Sequence, residues 1–199
     1  MTTFLLIRHG EIDANIDKRW HGATDSELNT RGMEQAGKMG RCLSKQYPNI
    51  TKVYSSPLKR TMKTAMALAD ALGTTPEGHE GLREYGIGEL EDTSYDSLLK
   101  DHDFFDSIAR NQDFAPPGGE SVNRVRDRMI SAFDDIRHRH VGEKVALVSH
   151  GAAMAIALSE LLKGSPFPFF DFHMSNTGVS QLVWGDSVAL TSFNDTDHL

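Results

Sequence analysis

"LLIRHGEIDAN", residues 5–15, runs an apolar segment straight into an arginine, a histidine and a glycine. Phe4, Leu5, Leu6 and Ile7 have the make-up of a buried strand. Arg8 and His9 do not belong in such a core. Burying their polar groups is costly unless something at the strand's end hydrogen-bonds them or binds to them.

Outward from this stretch, strand-like and helix-like segments alternate. From Thr30, the residues Met33, Ala36, Gly37, Gly40, Leu43 and Tyr47 recur at helical spacing, and Pro48 stops the pattern. "KVYSS" (52–56) reads as a second strand. Pro57 is then expected at a helix start, where its missing N–H is harmless. Leu58, Thr61, Met62, Ala65, Leu68, Ala69 and Leu72 would form that helix's inner face, and Gly73 would end it.

Residues 85 to 115 break the rhythm with eight acids against two bases, Lys100 and Arg110. They read as a partly helical cap insertion, at about 85–118, closed by "APPGG". Val122, Val125, Met129, Ala132, Phe133 and Ile136 mark a long amphipathic helix for which Ser121 is the expected cap. "KVALVS" (144–149) is a strand, "GAAMAIALSELLKG" a helix ending at Gly164, and "GVSQLVW" and "SVALTSF" closing strands. The order implies one α/β domain over residues 1–199. The expected architecture is a three-layer sandwich with a mainly parallel central sheet, helices on both faces and a small cap.

Composition narrows the function classes. The 199 residues are 39% apolar and 25% charged with a net charge of −7, an unfavourable balance for gripping a phosphate backbone, so no nucleic-acid partner is expected. Cys42 is the sole cysteine, so no internal disulfide forms. No signal peptide and no membrane-length apolar run is read, and a cytoplasmic location is the expectation. The oligomeric state is not legible, and a homodimer stays open.

Three strand-like runs end in polar groups: "LLIRHG", "VYSSPLKR" and "ALVSHG". Ligands of open α/β sheets bind outside the carboxyl ends of the strands. His9 and His150, each followed by glycine, are therefore expected to meet in one crevice with Arg8 and Arg60. The glycines would let backbone N–H groups approach an anion. Guanidinium forks and imidazoles suit a tetrahedral phosphate, and histidine can attack phosphorus as well as bind it. A carboxyl group should protonate the leaving oxygen, and "GLREYG" offers Glu84; Glu89 and Glu91 remain alternatives. "RHRH" (137–140) could suggest a metal tract, but at a helix C-terminus it reads better as a solvated basic end. A strand-end histidine is more often a structural hydrogen-bonder than a catalyst, and only the pair in matching contexts argues otherwise.

With these residues in hand, the sequence resembles the histidine phosphatase superfamily, the phosphoglycerate-mutase-like branch with the RHG motif. The resemblance rests on "RHGE" (8–11) with Asn15, "RWHGATDSELNTRGMEQA" (19–36), "SSPLKRTMKTA" (55–65), "LRE" (82–84), "PGGES" (117–121) and "VSHG" (148–151). It implies that His9 is the nucleophile and Glu84 the proton donor. It further implies that Arg8, Arg60 and His150 hold the phosphoryl group, with Asn15 and the backbone at Gly151 assisting. Ile12 stands where the family usually has Thr or Ser, and "GIGELED" (86–92) replaces the commoner G-x-W-E-G. His21 and Asn176, with Ile12, are candidates for the pocket rim.

The expected activity is a metal-independent phosphomonoester hydrolase acting on a small phosphorylated metabolite, with no cofactor. A phosphoglycerate mutase is the alternative, though family mutases are usually longer and carry basic inserted segments. Two others are a non-catalytic phosphate-recognising regulatory module and a phosphohistidine protein phosphatase.

Overall fold

The computed structural model describes residues 1–199 throughout. In chain order the elements are β1 (Thr2–Arg8), α1 (Asp13–Ile16), α2 (Thr30–Gln46), β2 (Ile50–Ser55), α3 (Lys59–Leu72) and β3 (Glu77–Gly78). They continue with α4 (Tyr95–Lys100), α5 (Phe104–Arg110), α6 (Val122–Arg139), β4 (Lys144–Ser149), α7 (Gly151–Lys163), β5 (Val179–Trp184) and β6 (Val188–Asp195).

The strands form one six-stranded sheet in the order β3-β2-β4-β1-β5-β6. β1 to β4 are parallel, and β5 and β6 close the edge antiparallel. The alternation of side chains along a strand explains the layers. Phe4 and Leu6 of β1, with Val145 and Leu147 of β4, enter the larger core formed with α6, α7 and the cap. Leu5 and Ile7, with Ala146 and Val148, enter the second core under α2 and α3. No helix is long and apolar enough to cross a membrane.

Two expectations shift. α3 begins at Lys59 with Leu58 in the cap position, so Pro57 lies before the helix and not in its first turn. The inner stripe of α2 is rotated: Gly32, Gln35, Ala36, Met39, Gly40 and Leu43 are buried, whereas Met33 is 51% exposed. The cause is a buried hydrogen-bonding role that an apolar count cannot see, since Gln35 Oε1 accepts the Glu11 N–H at 2.9 Å. Ser121 caps α6 as expected, its side chain accepting from the Arg124 N–H.

Register brings the site together. Arg8 of β1 lies opposite Ser149 of β4, so the next residues, His9 and His150, leave the sheet side by side. The His9 N–H donates to the Ser149 carbonyl at 3.1 Å, extending the ladder by one bond. On the other side of β4, Ser55 pairs with Val148, which brings Ser56 to the same edge.

Candidate active site

A cavity of about 300 Å³ opens at that edge. Arg8, His9, Asn15, Glu84 and Gly151 line it, together with Ile12 and His21 from the expected rim. Three separate chain segments thus converge through the parallel register and the cap.

His9 is 3% exposed, and its Nδ1 lies 2.7 Å from the Gly10 carbonyl. A carbonyl only accepts, so Nδ1 carries the hydrogen and Nε2 keeps its lone pair. Burial, then the charges of Arg60 and Arg8, holds the imidazole well below its ordinary range, so the ring is neutral. A neutral imidazole with a fixed tautomer and a free Nε2 can act as a nucleophile. Arg8 spends Nη1 on the Met174 carbonyl, while its buried Nε has no partner within the protein. That leaves one guanidinium N–H unsatisfied in a side chain that lines the cavity.

Arg60 and His150 are brought to the same place but not onto the cavity wall. Both are fully buried directly beneath it. Arg60 Nε donates to His150 Nδ1 at 3.2 Å. Its Nη1 donates to the Thr24 carbonyl, and its Nη2 to those of His21 and Gly22. Burial lowers the Arg60 pKa to about 10, which still leaves it charged at neutral pH. Because Nδ1 accepts from Arg60, His150 carries its hydrogen on Nε2 and donates to Ser56 Oγ at 2.8 Å. Burial and then Arg60 depress the His150 pKa as well. The two rings stand edge to face, 5.3 Å between centroids. The expected ring of four phosphate ligands is therefore two layers. Arg8 and His9 face the cavity, while Arg60 and His150 lie behind them: Arg60 carries the positive charge, and the neutral His150 is held between it and Ser56.

The glycines act differently from the expectation. A Cβ on Gly10 would come within 2.5 Å of the Gly32 carbonyl, and the Gly10 N–H donates to Thr64 Oγ1. Gly10 therefore serves close packing of the loop on α2 and not an open anion cradle. A Cβ on Gly151 would lie 3.4 Å from Arg8 Nε, so this glycine does clear space beside the free donor.

Glu84 is the only one of the three candidate acids on the cavity wall. Its Oε1 accepts from the N–H groups of Tyr85 and Ala153 at 2.8 Å, and Oε2 from Ala152 at 3.2 Å. The carboxyl group is thus held across the start of α7, where orphan amide donors point outward. Glu89 is exposed. Glu91 instead ties down the 22–24 loop through Gly22, Ala23 and Thr24.

Asn15 uses Oδ1 to accept from Ile12 N–H and from Asn176 Nδ2, which leaves its own amide N–H₂ free toward the cavity. Asn176 does not line this cavity. It braces the strand end from behind by donating to the His9 carbonyl at 3.0 Å. His21 is held by Ser26 and Asp92. Ile12 presents only hydrocarbon to the cavity. Leu90, in the departing "GIGELED" stretch, does not line the cavity and packs, partly buried, against the larger core. In the basic run, His140 is not simply solvated: it bonds to the Tyr54 hydroxyl and the Glu143 carboxylate.

Sequence reading missed several participants. Arg128, in the middle of α6, pairs bidentately with Glu120 and donates to the carbonyls of Gly81, Arg83 and Glu84, fixing the segment that carries Glu84. Tyr95, Phe105, Phe169, Phe170, Trp20, Arg19 and His173 complete the cavity wall. The phenylalanine-rich "PFPFF" (166–170) was the available signal for part of it.

A buried histidine with an open Nε2, an unpaired guanidinium donor and a carboxyl group on one cavity at a parallel sheet's carboxyl edge define a phosphoryl-handling α/β domain. The chain belongs to the histidine phosphatase superfamily (branch 1), whose family model matches residues 4–196. It is 32% identical over 197 residues to a probable phosphoglycerate mutase, GpmB, of Salmonella choleraesuis, covering 96% of this chain and 89% of that protein. In structure it is similar to a phosphoserine phosphatase of Entamoeba histolytica solved with 3-phosphoglyceric acid. That match has a TM-score of 0.89 at 28% identity, with all of both chains covered. A mycobacterial glucosyl-3-phosphoglycerate phosphatase solved with VO3 gives a TM-score of 0.86 at 26% identity, covering 96% of this chain and 98% of that one.

Proposed function

We propose that the protein is a phosphomonoester hydrolase that works through a phosphohistidine on His9. The observation that carries the reading is the His9 tautomer: Nδ1–H is tied to the Gly10 carbonyl and Nε2 faces a cavity shared with Arg8 and Glu84. In the first half-reaction Nε2 attacks phosphorus, and the bond from phosphorus to the leaving oxygen breaks. Glu84 gives its proton to that oxygen, so the alcohol departs neutral. In the second, Glu84 takes a proton from water, the water oxygen bonds to phosphorus, and the P–N bond breaks to release phosphate.

The Arg8 guanidinium and the Asn15 amide, both on the cavity wall, stabilise the phosphoryl oxygens, and the backbone at Gly151 borders the same space. Arg60 and His150 act from beneath, where the low dielectric strengthens their field. Nothing in this scheme draws on a metal or an organic cofactor. The substrate is a small molecule, with no nucleic acid or membrane involved, and the setting is the cytoplasm.

Phosphoglycerate mutase is the second reading, favoured by the Salmonella relative and by one feature of the structure. A more open recess beside the cavity shares Arg8, Asn15, Tyr95 and His173 and adds Lys18 and Arg31, cations that could receive a second anionic group. Against it stand the acidic cap and the apolar wall on the cavity itself. The two are separated by assaying phosphate release from an aryl phosphate in chelator, with His9→Ala alongside. Release by wild type that disappears in His9→Ala supports the hydrolase. Absence of release together with phosphoryl exchange between phosphoglycerates supports the mutase. Binding of phosphate with neither activity supports the recognition module.

A further inference from the structure

One wall of the cavity is an unbroken ladder of aromatic rings. Tyr95 meets Trp20 at 5.6 Å between centroids, Trp20 meets Phe105 at 6.4 Å, Phe105 meets Phe170 at 6.0 Å, and Phe170 meets Phe169 at 4.5 Å. The five rings come from three separate parts of the chain: the loop after α1, the cap helices α4 and α5, and the segment after α7. All five line the cavity that holds His9 and Glu84.

Packing of the cap accounts for part of this ladder but not for all of it. Trp20 and Phe169 are buried, as cap-to-body contacts should be. Phe170, however, is 49% exposed and Tyr95 is 45% exposed. A large apolar ring held half in water on a cavity wall gains little for stability and fits a ligand-contacting role.

Charge on this wall points the same way. Its one arginine besides Arg8, Arg19, is held by Asp92 at 2.7 Å, and His21 Nε2 lies 3.0 Å from the same carboxylate. His173 is depressed by burial and by Arg8, so it is neutral at pH 7. Beyond the phosphate grip, the aromatic side therefore offers no free cation for a second anion. A cavity of about 300 Å³ is at the small end of ligand sites, which suits a phosphate with one ring-sized substituent and not a peptide or a long chain.

We propose that the cavity selects phosphomonoesters whose leaving group carries a flat apolar body, stacked on the aromatic wall, with Phe105 and Phe170 as specificity-determining residues. This rests on the hydrolase reading for turnover, but the binding selectivity it describes can be measured without turnover.

The test compares four alkyl phosphates with leaving groups of one type: benzyl phosphate, n-propyl phosphate, phosphoserine and 3-phosphoglycerate. Aromatic stacking of the kind available here changes affinity by roughly 2- to 12-fold per ring contact. Two contacts should therefore place benzyl phosphate about 4-fold or more above n-propyl phosphate in kcat/KM. Phe170→Ala and Phe105→Ala should each lower the benzyl-to-propyl ratio, and Phe170→Tyr, which keeps the ring, should preserve it. Phe170 is half exposed, so its replacement leaves the core intact.

Calorimetric titration with benzylphosphonate and with 3-phosphonopropionate gives the same comparison without catalysis. Tighter binding of benzylphosphonate with no phosphate release from any ester would sustain this proposal and sink the hydrolase reading. Turnover that favours 3-phosphoglycerate or phosphoserine over benzyl phosphate would overturn the proposal and leave the hydrolase standing. So would a benzyl-to-propyl ratio unmoved by Phe170→Ala.

Discussion

Glu91→Gln is the most informative single change in the support of the site. The Glu91 carboxylate accepts five hydrogen bonds. Oε2 takes the N–H of Gly22 at 2.8 Å, and the N–H and hydroxyl of Thr24 at 3.3 and 2.8 Å. Oε1 takes the N–H groups of Ala23 at 2.9 Å and Ile87 at 3.0 Å. A glutamine must present an NH₂ group at one of the two oxygen positions. Whichever way it turns, at least two backbone N–H donors then face a donor. Each bond to a charged acceptor is worth about 1.5–3 kcal/mol, and solvent reaches the Ala23 side to recover part of the loss, so the variant should be destabilised by about 2–4 kcal/mol.

The loop so loosened is the one whose Gly22 and Thr24 carbonyls hold Arg60. Urea unfolding of wild type, Glu91→Gln and the exposed control Glu89→Gln measures the first effect. Turnover of an aryl phosphate under folding conditions measures the second, which should fall with Glu91→Gln and not with Glu89→Gln. Stability of Glu91→Gln within about 0.5 kcal/mol of wild type, the range of ordinary surface changes, would refute the reasoning.

Three further outcomes follow from the same geometry. Glu84→Gln should slow an alkyl phosphate by about 100-fold or more, the usual scale of general acid catalysis, yet slow 4-nitrophenyl phosphate far less, since that leaving group needs no proton. Equal losses on both substrates would remove Glu84 from the acid role. Arg128→Ala should reproduce that leaving-group dependence in weaker form and lower the urea midpoint, because it frees the Gly81, Arg83 and Glu84 carbonyls. A leaving-group dependence identical to wild type would make Arg128 purely structural.

Stability should also fall as pH drops from 7.5 to 5.5. His9 and His150 are neutral in the folded protein, their pKa values depressed chiefly by burial, while the unfolded chain takes up protons below about 6.5. The stabilisation is therefore present above that pH and lost below it, by about 1.4 kcal/mol per histidine at pH 5.5. An unchanged urea midpoint across this range would contradict neutral buried rings.

How much of this was legible depends on which interactions are local in sequence. β1 and β4 each hold a short apolar run, Phe4–Ile7 and Val145–Val148, and each strand is followed directly by its candidate histidine. Strand pattern and chemistry therefore sit in one window. Glu84 was legible with its competitors, and only its place on the cavity wall separates it from Glu89 and Glu91. The layering of Arg60 and His150 behind His9 was not legible, because Arg60 is captured by carbonyls of residues 21–24, more than thirty positions earlier. Arg128 looks like its helix neighbours Arg124 and Arg126 until α6 is packed against the 81–84 segment. The aromatic wall is assembled from pieces with no shared periodicity, so nothing in a local window unites Trp20 with Phe105 and Phe170.

The central claim is that His9 Nε2 takes the phosphoryl group. Rapid-quench mixing of the protein with a phosphomonoester labelled with ³²P, followed by denaturation in alkali and peptide mapping, measures it directly. The expected result is label on the peptide containing His9, stable in alkali, lost in acid and absent from His9→Ala. Release of phosphate by wild type with no labelled protein at any quench time, or with label on another residue, would contradict the account.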